Sequence, residues 1–129
     1  MPMDIYVEEI ISHYEHPHNK RKIADADTSF HDDNPLCGDE MTMYIKVKDG
    51  RIADISFDGS GCAISQATAS MLTDLVKGMP VEEAKGVDYA RVKELIGIDP
   101  GPARMHCATL PLKTLAGCIF IYEHRKSRG

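Results

Sequence analysis

No stretch of this sequence approaches the ~18 consecutive apolar residues that a membrane span requires, so no membrane role is expected. Positive charge is also short. Fifteen lysines and arginines stand against 20 acids, a net charge of −5, which argues against a nucleic-acid partner. Residues 1–10 hold Asp4, Glu8 and Glu9 and no base, so they read as neither a secretory signal nor a transit peptide. There is no tryptophan, aromatics make up only 6%, and no internal repeat or low-complexity tract is present. The chain also lacks a C-x-x-C pair, which speaks against a zinc ribbon or knuckle. Its four cysteines, with no secretory context, point to metal or thiol chemistry in a reducing compartment. The cytoplasm is the expected location.

What is there suffices for one domain over residues 1–129, with 43% hydrophobic content to fill a core. Val7, Ile10, Ile11 and Tyr14 fall at helical spacing and predict an amphipathic helix over about 4–15, capped by Asp4 and stopped before Pro17. A short strand is expected near 28–31. Met41, Met43, Ile45 and Val47 alternate with polar residues, and Asp49-Gly50 supplies a hairpin turn. Ala53, Ile55 and Phe57 continue the alternation on the return strand, which Gly59-Ser60-Gly61 breaks. Ile64, Ala67, Thr68, Met71, Leu72 and Leu75 then line a helix that ends at Gly78 and Pro80. Residues 81–84 fit one turn. Tyr89, Val92, Leu95 and Ile96 make a short helix between the cap Asp88 and the stop Gly97. Leu112, Leu115, Ile119 and Tyr122 mark a last helix after Cys107, with Pro111 in its first turn. Strands come early and helices late. The class is α+β, with helices on one face of a small antiparallel sheet.

Three cysteines sit in marked turns: Asn34-Pro35-Leu36-Cys37-Gly38-Asp39, Gly59-Ser60-Gly61-Cys62-Ala63 and Arg104-Met105-His106-Cys107. Thiolates suit zinc, iron and iron–sulfur clusters, while Asp39 and His106 are harder, replaceable ligands. A site that mixes them can let go of what it holds. Cys62 and Cys107 each fall at or just before a helix start, where the helix dipole favours an anion by about 0.3–1 kcal/mol. Arg104 adds a fixed positive charge that steadies a thiolate at Cys107. Cys37 and Asp39 are two apart in an extended segment, so both can address one ion. Gly38 and Gly61 leave room for backbone to approach a bulky centre. Cys118 lies among Leu115, Ile119 and Phe120 and reads as a core residue. His13, His16 and His18 suit the C-terminal end of the first helix, where cations are favoured. Lys20-Arg21-Lys22 and the basic run from His124 read either as solvated segments or as a docking site for an acidic partner.

These motifs resemble the iron–sulfur cluster assembly scaffold family of the IscU, NifU N-terminal domain and SufU type. The likeness rests on Asn34-Pro35-Leu36-Cys37-Gly38-Asp39, Gly61-Cys62-Ala63-Ile64-Ser65 and His106-Cys107, with His13-Tyr14-Glu15-His16-Pro17-His18-Asn19 at the first helix's end. It runs from about residue 5 to 125. It implies a three-stranded antiparallel sheet and a transient [2Fe–2S] cluster on Cys37, Cys62 and Cys107. Asp39 or His106 would supply or exchange the fourth ligand. Sulfur would arrive as persulfide from a cysteine desulfurase, or as sulfide, with Cys107 the first acceptor. Electrons would come from a donor such as ferredoxin, and the cluster would pass to apo iron–sulfur proteins. The loaded form could be a homodimer. Such a chain is a scaffold and not a turnover enzyme. The alternative is a zinc-bound sulfurtransferase-type acceptor that uses the same ligands.

Two departures bear on the choice. Where family members that use a dedicated chaperone carry Leu-Pro-Pro-Val-Lys, this chain has Pro100-Gly101-Pro102-Ala103-Arg104. The long insertion of SufU-type members between the second and third cysteines is absent, and His106 precedes the third, which favours the scaffold reading.

Overall fold

A computed structural model describes residues 2–35, 38–102 and 104–128. The order is α1 (Pro2–Glu15), β1 (Thr28–Asn34), β2 (Asp39–Lys48), β3 (Arg51–Ser60), α2 (Ala63–Val76), α3 (Val81–Ala84), α4 (Tyr89–Ile96) and α5 (Met105–Arg128). The strands form one antiparallel sheet in the order β1-β2-β3. α2 and α5 cover one face of it, as the α+β reading expects. α1 and α4 pack on the far side of α2.

The central hairpin forms for local reasons. Lys48 pairs with Arg51, leaving Asp49 and Gly50 as a two-residue loop with φ of 55° and 75°. Two positive φ values in succession make a type I′ turn, whose twist suits the strands it joins. Alternation then buries Met41, Met43 and Ile45 on the helix side. On β3 the expected pattern is corrected. Lys46 pairs with Asp54 and Val47 with Ile52, so Ala53 is the extra residue of a bulge and is exposed. The bulge turns Ile52 inward along with Ile55 and Phe57. β3 also runs on through Gly59 to Ser60 and is not broken there. Gly59 has φ of 136°, and a Cβ on it would stand 2.3 Å from the Glu40 carbonyl oxygen. Only glycine lets β2 and β3 approach this closely at the end that leads to Cys62.

The outer edge of β3 is covered by the chain itself. Arg21 donates its amide to Phe57 (2.9 Å), and Phe57 donates to the Asn19 carbonyl (2.9 Å). Further along, Gly78 donates to the Ile52 carbonyl and Ile52 to that of Met79. Two bases of the Lys20-Arg21-Lys22 run serve this packing: Arg21 binds Asp54 at 2.7 Å and Lys20 binds Gln66 at 2.9 Å.

Both ends of the chain differ from expectation. α1 begins at Pro2, so Asp4 lies inside it and does not cap it. Proline suits a first turn, where its missing N–H costs nothing. The apolar stripe of α1 is mostly uncovered: Ile10 is buried, while Val7, Ile11 and Tyr14 are exposed, because α1 is flanked by helices on one side only. α5 starts at Met105, so Cys107 is in its first turn and Pro111 in its second. The Arg104 carbonyl accepts from the amides of Cys107 (3.0 Å) and Ala108 (3.3 Å), which opens the helix earlier than Pro111 suggests. Burial of Cys107, Ala108 and Leu110 draws that turn onto the core. By length and composition the stretch Met105–Arg125 could cross a bilayer, and 44% of it is buried inside this fold. Here it is the helix that packs on the sheet.

Candidate metal centre

Three separate elements bring the predicted ligands to one end of the sheet. Asp39 opens β2, opposite Asn34 at the end of β1. Cys62 is the N-cap of α2, with extended backbone at φ −73° and ψ 170°. Its sulfur makes no capping bond to the helix. Cys107 is the third residue of α5. One ligand atom from each of Asp39, Cys62 and Cys107 lies within 4.8 Å of the others. Cys37 falls in sequence between Asn34 and Asp39 and lies outside the described residues. His106 is half-buried and is not part of this group among the described residues. Its carbonyl accepts the Thr109 hydroxyl at 3.2 Å.

Asp39 is 4% exposed, and its Oδ2 is buried without a hydrogen-bond partner among the described residues. A buried carboxylate oxygen left this way carries a desolvation penalty that a cation would relieve. Two soft sulfurs beside it make a donor set for zinc or iron. The set therefore fits a metal.

Arg104, just ahead of α5, is exposed and reaches both thiols. Its bond to Cys107 and its attraction to Cys62 hold the guanidinium pKa above its ordinary value. The cysteines differ in access: Cys62 is half-buried, whereas Cys107 is 1% exposed. Cys118 sits apart in the core, where its Sγ lies 3.5 Å from the Thr28 carbonyl oxygen and 3.6 Å from that of Met43. Burial pushes its thiol up to about 12, so it stays protonated.

The two glycines flagged beside the site do different work. Gly38 has open space where a Cβ would stand, and its φ of 76° is the reason for glycine. Gly61 is packed tight. A Cβ there would lie 2.8 Å from Asp39 Cγ and 2.5 Å from Ser65 Oγ. Ser65 enters the sequence reading only as the last residue of the Gly61-Cys62-Ala63-Ile64-Ser65 motif, with no role of its own. It is fully buried, and its hydroxyl donates to the Cys62 carbonyl at 3.1 Å, which fastens the turn that carries the sulfur. The available signal was a serine three residues after a helix N-cap.

A family model described as the NifU-like N terminal domain matches residues 5–128 of the chain. Among known relatives, the iron-sulfur cluster assembly scaffold protein IscU 1 of Archaeoglobus fulgidus is 41% identical over 124 residues, covering 96% of this chain and 80% of the relative. The zinc-dependent sulfurtransferase SufU of Bacillus subtilis is 33% identical over 128 residues, covering 86% of each. In three dimensions the chain is similar to the N-terminal part of a nitrogen-fixing NifU-like protein from Brucella abortus. The TM-score is 0.76 at 25% identity, covering 96% of this chain and 99% of that one.

Proposed function

Because the chain belongs to the NifU-like N-terminal domain family of iron–sulfur scaffolds, we propose that it is a platform on which a cluster is built and from which it passes to apo-proteins. The observation that carries this reading is the convergence of Asp39, Cys62 and Cys107 within 4.8 Å. The proposed cargo is a [2Fe–2S] cluster, with Cys37 as the third thiol. Asp39 is the proposed fourth ligand in preference to His106, because Asp39 belongs to the group and carries an unpartnered buried oxygen, whereas His106 is not in the group. Clusters held for electron transfer commonly use four thiolates. A carboxylate in one position makes a hold that a recipient can displace.

Sulfur is proposed to come from a cysteine desulfurase. The Cys107 thiolate attacks the outer sulfur of the desulfurase persulfide, and the desulfurase cysteine leaves as thiolate. Arg104 favours this by holding a positive charge beside the attacking sulfur. Cys107 is buried, so the first turn of α5 must open when the desulfurase docks. Reducing sulfane sulfur to sulfide takes more electrons than ferrous iron supplies, which gives an electron donor such as ferredoxin its place. A loaded homodimer is compatible with a site at the edge of the fold.

A second reading keeps zinc on the same ligands and uses the chain as a sulfur acceptor. It is favoured by the 33% identity to the zinc-dependent SufU. Anaerobic reconstitution with ferrous iron and sulfide decides between them, followed by transfer to an apo-ferredoxin. Equal iron and sulfide with prompt transfer is the scaffold outcome. Tight zinc, no cluster and faster sulfur release by a desulfurase is the acceptor outcome.

A further inference from the structure

Far from the thiols, the end of α1 meets the C-terminal half of α2 at a second group of ligand-type side chains. His13, His18 and Asp74 each offer one ligand atom, all within 4.8 Å of one another. Asp74 is twelve residues beyond Cys62, roughly 18 Å along the α2 axis, so the two groups cannot share an ion. We propose that His13, His18 and Asp74 form a second metal site, suited to a borderline divalent cation such as Zn²⁺.

The surroundings hold these side chains as metal ligands are usually held. His13 Nδ1 lies 2.6 Å from the Ser70 hydroxyl, and His18 Nδ1 lies 2.5 Å from Asp74 Oδ2. A cation held by this group takes the place of the proton between His18 Nδ1 and Asp74 Oδ2, and His13 brings a ring nitrogen to the same group. The Ser70 hydroxyl behind His13 fixes that ring as an outer-shell hydrogen-bond partner fixes a ligating imidazole. Ser70 also takes the His18 amide at 2.8 Å, which ties the loop to the helix that carries Asp74. Asn19 reinforces this from the next position. It adopts φ of 62°, donates to Asp74 Oδ1 at 2.9 Å and to Thr73 Oγ1 at 3.0 Å, and accepts from Lys77 at 2.8 Å. That left-handed residue turns the chain directly after His18. The two rings are 4.6 Å apart and tilted by 53°, which is not a stacked pair. An open groove of about 300 Å³ runs beside His13 and Asp74, and Glu9 on its wall stands one helical turn before His13. A cation can enter there, and water or Glu9 can complete its shell. Two imidazoles with a carboxylate suit zinc, and other first-row divalent ions compete by availability.

The test separates this site from the thiols by its optical signature. Co²⁺ is titrated into the full chain carrying Cys37→Ser, Cys62→Ser and Cys107→Ser, whose fold is checked by circular dichroism. The expected result is one Co²⁺ per chain with visible ligand-field bands and no sulfur charge-transfer band. Adding His18→Gln should weaken that binding at least tenfold. Should the serine variant fold poorly, zinc per chain is measured by metal analysis on the otherwise unaltered protein with and without His18→Gln. There the ratio should fall by one with His18→Gln while thiolate-bound metal is retained. No Co²⁺ uptake by the folded serine variant, uptake indifferent to His18→Gln, or an unchanged zinc ratio overturns the proposal. None of these outcomes touches the cluster reading, which is scored on the thiols.

Discussion

At the scale of the residue, Asp39 and Gly61 form one device. The carboxylate is buried with an oxygen that nothing described satisfies, and Gly61 is the surface against which it lies. If Asp39 is the displaceable ligand, Asp39→Ala should slow cluster transfer from the variant to apo-ferredoxin. A variant that releases its cluster at the parent rate would show that Asp39 is not the exchange ligand. Gly61→Ala acts from behind. Its methyl group must push the Asp39 carboxylate or the Ser65 hydroxyl aside. Zinc affinity, measured by competition with a chelator, should fall roughly 10-fold. Unchanged affinity would mean that Asp39 is not held by this packing. Cys62 and Cys107 could be nominated as candidates from their turns alone. Which harder side chain stands beside the sulfurs could not, because Asp39 and His106 each lie within two residues of a cysteine.

At the scale of the element, the β2–β3 hairpin shows local and non-local control side by side. Its turn follows from Asp49-Gly50, two residues that tolerate positive φ. Its far end depends on Gly59, whose missing side chain admits the Glu40 carbonyl and the Met41 Cα. Gly59→Ala combines a disfavoured φ with a clash against main chain, which cannot rotate away. The expected loss is about 3 kcal/mol in urea unfolding. A loss below about 1 kcal/mol would mean that the two strands can separate there without penalty. The bulge at Ala53 was not legible, because alternation alone assigns Ala53, Ile55 and Phe57 to one face. Pairing β3 with β2 supplies the correction by placing Ile52 opposite Val47. The start of α5 was misread for a similar reason. Pro111 fits a first turn by propensity, but burial of the preceding turn outweighs that preference.

At the scale of the whole molecule, the covered edge of β3 is also an electrostatic joint. Burial raises the Asp54 carboxyl, but the bond and charge of Arg21, the Ile55 amide and Lys77 outweigh it, and the net pKa lies below the ordinary 3.8. A carboxylate with a depressed folded pKa stabilises the fold above its unfolded pKa, and that contribution is lost as pH falls through the folded value. Asp54→Asn should therefore cost about 1 kcal/mol or less near pH 7. The gap between variant and parent urea midpoints should close as pH drops below 3.8. A gap that stays constant down to about pH 3 would assign the loss to hydrogen bonding and not to charge.

The sequence by itself determined the α+β class, the hairpin turn, the caps of α4 and the separation of Cys118 from the other cysteines. Each of these depends on a few neighbouring residues: a φ preference, a capping oxygen, a period of apolar positions. Only the tertiary structure decided that Asp39 joins Cys62 and Cys107, and that His13 and His18 meet Asp74 while His16 does not. It also decided that most of the apolar stripe of α1 faces outward. Those outcomes bring together residues dozens of positions apart, and their approach is set by how α1, α2 and α5 pack against one another and the sheet, which no local pattern records.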